Sequence, residues 1–174
     1  MPRWAIAYVR VVDQVNRRVG RFAMYLLFVL MGILLWSSMT KIGSDLGLPV
    51  NPSLWTLEMA QFVMVAYYIL GGPYSLQLGG HVRMDLLYGD WSPARKAWFD
   101  AFTILLVLMF LAVLLYGAID STAYSLKYNE RNPSAWRPYL WPIKVLMCAG
   151  FVLMLLQSVS LFLRDIAAIR GVEI

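Results

Sequence analysis

Glu58 is the carboxylate best placed to do chemistry in this sequence, because it stands at the edge of a long uncharged run. Gln61, Val65 and Tyr68 follow it at offsets of three, seven and ten, so a helix would present all four on one face. A charge at the edge of an apolar helix is costly, which makes Glu58 a candidate ion or proton site. The plainer reading is an interfacial carboxylate near a helix N-terminus, where the backbone dipole favours negative charge. No second acid shares the face, and that favours the plainer reading. In both cases the stripe suits packing against protein better than against lipid.

The one histidine, His81, opens the stretch His81-Val82-Arg83-Met84-Asp85 just after Gly79-Gly80. In a helix His81 and Asp85 would lie one turn apart. A metal site needs more ligands, and the chain offers no second histidine and one cysteine, Cys148, inside an apolar run. That cysteine has no partner for an intrachain disulfide. A haem-holding helical anchor would ask for paired histidines within the spans. There is no nucleophile constellation, no G-x-x-x-x-G-K-[ST] and no G-x-G-x-x-G, so neither catalysis nor nucleotide binding is expected. The His81–Asp85 pair is expected to shape a turn and to bond a neighbouring subunit.

The elements carrying these residues follow from composition. Of the 174 residues 60% are hydrophobic and 14% are charged, against about 25% charged in a soluble domain. Too few polar groups remain to cover a water-facing surface, so lipid must do it. Positions 22–40, 59–80, 101–119 and 145–163 carry no charge. At about 1.5 Å per residue, nineteen residues reach roughly 28 Å, close to the bilayer's hydrocarbon thickness. Such continuous runs are helices rather than the alternating strands of a barrel. Trp55, Trp91, Trp98, Trp136, Tyr139 and Trp141 fall at run ends, where amphipathic rings sit at the headgroup level. Gly32, Gly71, Gly72, Gly117 and Gly150 are candidate close-approach points between helices. Pro73 is expected to kink or loosen the end of the second span.

The fold class predicted is an all-α integral membrane protein forming one membrane domain. Four transmembrane helices span 22–40, 55–78, 98–119 and 141–163. An amphipathic interfacial helix over 2–19 precedes them, with Trp4, Tyr8, Val11, Val12, Val15 and Val19 recurring at three- and four-residue spacing. A disordered basic tail is the alternative for that segment. The first span is too long for a cleaved signal and lacks a clear small-x-small site. Arg3, Arg10, Arg17, Arg18 and Arg21 precede it, against Lys41 alone in the next loop, which places both termini in the cytoplasm. The formal charge of +5 is thus spent on orientation; the basic residues flank apolar runs and form no nucleic-acid footprint.

Three segments together resemble one family. They are Gly80-His81-Val82-Arg83-Met84-Asp85-Leu86-Leu87 after the second span, Ser134-Ala135-Trp136-Arg137-Pro138 leading into Trp141-Pro142-Ile143-Lys144, and Gly150 followed by Gln157 within the last span. With Glu58 early in the second span and the four-span layout, the chain resembles, over essentially its whole length, the small permease subunit of tripartite ATP-independent periplasmic (TRAP) transporters, the DctQ type. The resemblance implies a bacterial inner-membrane, multi-pass scaffold with no cofactor of its own. Its partners would be membrane lipids, a large permease subunit that holds the sodium and substrate sites, and a periplasmic binding protein that delivers an organic acid anion. The large subunit would move as an elevator against this fixed frame. The end at Ile174 fits the separate rather than the fused form. It makes Glu58, Gln61, Gly80, His81, Arg83, Asp85, Trp136, Arg137, Trp141, Lys144 and Gln157 motif or subunit-interface candidates rather than substrate ligands. The competing reading is a self-assembling small channel or transporter, which would need a polar stripe through a span.

Overall fold

A computed structural model describes residues 3–79 and 93–169. The described residues form four α-helices and no strand: α1 (Arg3–Asp45), α2 (Thr56–Gln77), α3 (Pro93–Tyr128) and α4 (Trp141–Ile169). Three contain stretches long and apolar enough to cross a membrane, namely Arg3–Asp45, Phe102–Tyr128 and Trp141–Ala167. With 22 residues, α2 reaches roughly 33 Å and has the length to cross. However, Gln61, Gly71, Gly72, Pro73 and Ser75 interrupt its apolar run, and it is not among those three. It continues through the buried Pro73 for another turn to Gln77.

The first helix differs from expectation. It runs unbroken for 43 residues, roughly 64 Å and about twice the hydrocarbon thickness, so residues 3–19 are not a separate element. The physical reason is local: Val19-Gly20-Arg21-Phe22 holds no proline, and a change from charged to apolar side chains moves the helix into a different solvent without breaking its backbone bonds. One face of its first half packs on the other helices. Ala5, Val9, Val12, Asn16, Gly20 and Ala23 are buried, whereas Trp4, Val11 and Val15 are 66%, 58% and 41% exposed. Ala5, Gly20 and Ala23 let neighbouring helices approach on the buried face.

Packing is mainly α1 on α2 and α3 on α4; α2 joins the two pairs through α4, and α1 touches α4 more narrowly. The α2–α4 crossing is close at Gly150, where an added Cβ would overlap Cγ2 of Ile69 and lie 3.1 Å from the Ile69 carbonyl oxygen. An added Cβ at Gly20 would overlap Tyr74, which makes it a close-approach point that the span-by-span reading did not include. Gly72 likewise faces Met154, while Gly32, Gly71 and Gly117 have open space beside them. Those three mark no helix contact among the described residues.

Candidate functional site

The apolar α4 carries a row of polar residues at three- and four-residue spacing, Gln157, Ser160 and Arg164, which puts them on one helix face. The first half of α1 supplies Asp13 and Asn16, three apart on its own face. The two rows meet. Asn16 Nδ2 donates to Gln157 Oε1 at 2.6 Å, and Gln157 Nε2 donates to Asp13 Oδ1 at 3.0 Å. The guanidinium of Arg164 pairs with Asp13 Oδ2. Nearby, the Tyr8 hydroxyl donates to the Leu156 carbonyl at 3.1 Å.

Gln157 is sealed completely, and Asn16 is 1% exposed. Burying polar groups costs free energy unless each finds a partner. Here one amide serves two partners, and the carboxylate takes both the amide and the guanidinium. The arrangement is a clamp between the first and last helices. One Gln157 amide joins two residues of α1, while Asn16 Oδ1, Ser160 Oγ and Arg164 Nε are buried with no hydrogen-bond partner among the described residues.

A second polar group closes the α1–α2 turn. The Thr56 hydroxyl donates to the Ser53 carbonyl at 3.0 Å and lies within hydrogen-bond distance of Ser37 Oγ, also 3.0 Å away. Trp36 Nε1 donates to Ser53 Oγ at 3.2 Å. Glu58 sits one turn into α2, buried, and its Oε2 has no hydrogen-bond partner among the described residues. Gln61 and Tyr68 are exposed instead. The stripe expected on one face therefore splits: Glu58 faces inward with Thr56 and Ala60, and the other two face outward. An α-helix turns about 100° per residue, so offsets of three and ten are enough to straddle a packing boundary.

The third group is the loop between α3 and α4. Asn129 ends α3 in the left-handed region, φ 50°, as asparagine does at helix C-termini. Asn132 N donates to the Pro138 carbonyl at 3.0 Å and Leu140 N to that of Glu130 at 3.1 Å, so Arg131 and Tyr139 pair as an isolated antiparallel bridge. Lys144 on α4 reaches back to Glu130 Oε2 at 2.6 Å. That ammonium hydrogen bond holds the Glu130 carboxyl below its ordinary range. The Arg131 guanidinium lies 4.2 Å from the centre of the Tyr139 ring and bonds its hydroxyl. Trp136, Arg137 and Trp141 are exposed on this loop.

Of the sequence candidates, Gln157 is thus in the helix clamp, Lys144 in the loop ion pair, and Trp136, Arg137 and Trp141 on the loop surface. Gly80, His81, Arg83 and Asp85 lie outside the described residues. Asp13, Asn16 and Glu130 were not singled out. The available signal was the polar row of α4, which asks for partners in any bundle that buries it.

The class defined is an all-helical protein with helices long and apolar enough to cross a membrane, whose buried polar side chains join helix to helix. The family model of the DctQ component of tripartite ATP-independent periplasmic transporters matches residues 47–168, and the chain belongs to that family. It is therefore a transporter component and not an enzyme. No curated protein and no solved structure matches the chain significantly.

Proposed function

We propose that this protein is the small membrane subunit of a sodium-driven TRAP transporter that takes up an organic acid anion across the bacterial inner membrane. It serves as a static scaffold. The large permease subunit holds the sodium and substrate sites and moves its transport domain against this frame. All four helices span the membrane, α2 included, and Gln61 and Ser75, exposed polar positions of α2, face the large subunit. The arginine-rich first half of α1 lies on the cytoplasmic side, its basic face toward anionic headgroups.

The observation that carries this reading is the Asp13–Asn16–Gln157–Arg164 clamp in a member of a transporter-component family. A frame must resist load without moving, and the hydrogen bonds of Gln157 to Asn16 and Asp13 tie the first helix to the last. The test is affinity purification in mild detergent from cells expressing both subunits. The large subunit should co-purify; recovery of this chain alone would count against the proposal.

A further inference from the structure

The first half of α1 has three sides of different chemistry. Ala5, Val9, Val12, Asn16, Gly20 and Ala23 share the side that is buried. Trp4, Val11, Val15 and Phe22 share a second side and are exposed. Arg3, Arg10, Arg17 and Arg21, at offsets of seven, seven and four, share a third and are exposed too. At 100° of turn per residue this row falls within about 40°, and its members stand roughly 10, 10 and 6 Å apart along the axis. The apolar row lies about a third of a turn away, with Arg18 between the two.

The contacts with α4 set the depth and direction of this segment. Tyr8 bonds the Leu156 carbonyl and Asn16 bonds the Gln157 side chain. Roughly 12 Å of α1 therefore meets two adjacent residues of α4, so this half of α1 lies across α4 rather than along it. Where α4 spans the bilayer, the segment leans toward the membrane plane. Gln157 and Arg164 stand roughly 24 and 35 Å along α4 from Trp141, around the far edge of a hydrocarbon layer about 30 Å thick. A helix at that level turns its bare apolar side to acyl chains, and side chains a third of a turn away reach the headgroup phosphates.

Charge and side-chain type name the ligand. Every basic residue among the first 21 is arginine. A planar guanidinium binds a phosphate through two parallel hydrogen bonds, which an ammonium cannot do. The one acid of this stretch, Asp13, is taken by Arg164 and Gln157. Among the described residues no arginine of the row has an ion-pair partner. Unpaired like charges at this spacing repel, and phosphates at their own level relieve the repulsion.

We infer that Arg3, Arg10, Arg17 and Arg21 form a binding strip for the phosphate groups of anionic phospholipids, and that lipid bound there holds the first half of α1 against α4. This rests on the membrane placement proposed above and adds to it the binding residues, the ligand group and a dependence of stability on lipid charge.

The experiment titrates the two-subunit complex in detergent with dioleoylphosphatidylglycerol or with zwitterionic dioleoylphosphatidylcholine. Native mass spectrometry reads bound lipid, and a thermal melt reads the unfolding of this chain. Phosphatidylglycerol should bind more tightly and raise the unfolding temperature further, because a ligand of the folded state stabilises it. Arg10→Gln with Arg17→Gln should weaken its binding roughly thirtyfold and remove most of the difference between the two lipids. Lys41→Gln with Lys127→Gln removes the same charge elsewhere and should leave binding near that of the parent. Equal binding of the two lipids by the parent, an unchanged preference in the arginine variant, or an equal loss in the lysine variant would overturn the inference. So would displacement of the lipid by inorganic phosphate, which would make the row a site for soluble anions. Retention of the large subunit is read from the same preparations. Its absence from the parent contradicts the component reading, whereas loss of lipid preference with the subunit retained contradicts this inference alone.

Discussion

Asn16 and Gln157 stand 141 residues apart in sequence and share a hydrogen bond of 2.6 Å in a site closed to solvent. Through that bond the start of the chain is fastened near its end. Gln157→Leu keeps the volume but leaves Asn16 and one Asp13 oxygen without this partner. Each buried polar group so orphaned costs about 1–3 kcal/mol. Thermal unfolding in detergent should show a clear loss, and the double variant with Asn16→Leu should recover part of it. Strict additivity of the two substitutions would show that the residues are not coupled.

Asp13→Asn tests the other arm of the clamp. The Arg164 side chain is 35% exposed and that of Asp13 16%, so partial solvation lowers the cost of losing the pair to about 1–2 kcal/mol, below the range for fully buried pairs. Retention of the large subunit on purification should fall in parallel with stability, since the clamp sets how the first helix sits. Unchanged stability would place the pair outside the frame.

Gly150→Ala and Gly117→Ala make a matched comparison. At Gly150 the new methyl would overlap the branched, stiff Ile69 side chain and crowd its carbonyl. Helices α2 and α4 must move apart, at about 1–3 kcal/mol. At Gly117 nothing among the described residues lies within 4 Å, so alanine should be neutral or slightly stabilising through its better helix propensity. Melting temperatures of the two proteins should differ accordingly.

The Glu130–Lys144 pair gives the loop a pH response. The Lys144 hydrogen bond lowers the Glu130 pKa in the folded protein. Its contribution is therefore complete above the ordinary carboxylate range and is lost as pH falls through that range toward the folded value. Fluorescence of the loop tryptophans should change over this acidic window in the parent protein. Glu130→Gln should abolish that change, and a response of equal size in the variant would assign it to another group.

His81 and Asp85 carry the sequence motif outside the described residues. His81→Ala or Asp85→Ala should impair complex assembly or uptake and leave substrate preference unchanged, as competition uptake assays would report. Altered preference would put these residues at a substrate site.

The sequence made the helical class and its apolar runs readable because a lipid solvent imposes long uninterrupted hydrophobic segments. The same logic concealed two features. Charge at Arg21 suggested a helix boundary, yet charge changes the solvent around a helix without ending it, and α1 continues through. The spacing of Trp4, Val11, Val12 and Val15 gave an apolar face but not which residues pack on other helices: Ala5, Val9, Val12, Asn16 and Gly20 are buried, and Trp4, Val11 and Val15 are exposed. Asp13 and Arg164 lie 151 residues apart, and no local periodicity links them. Gln157 was legible as a motif position, but its partners emerge only when the first and last helices meet.

The most direct test of the scaffold account is sodium-gradient-driven uptake of organic acid anions into liposomes. Vesicles with this chain alone should show no uptake above empty vesicles, and vesicles with both membrane subunits and the binding protein should accumulate the anion. Accumulation by vesicles containing only this chain would contradict the account.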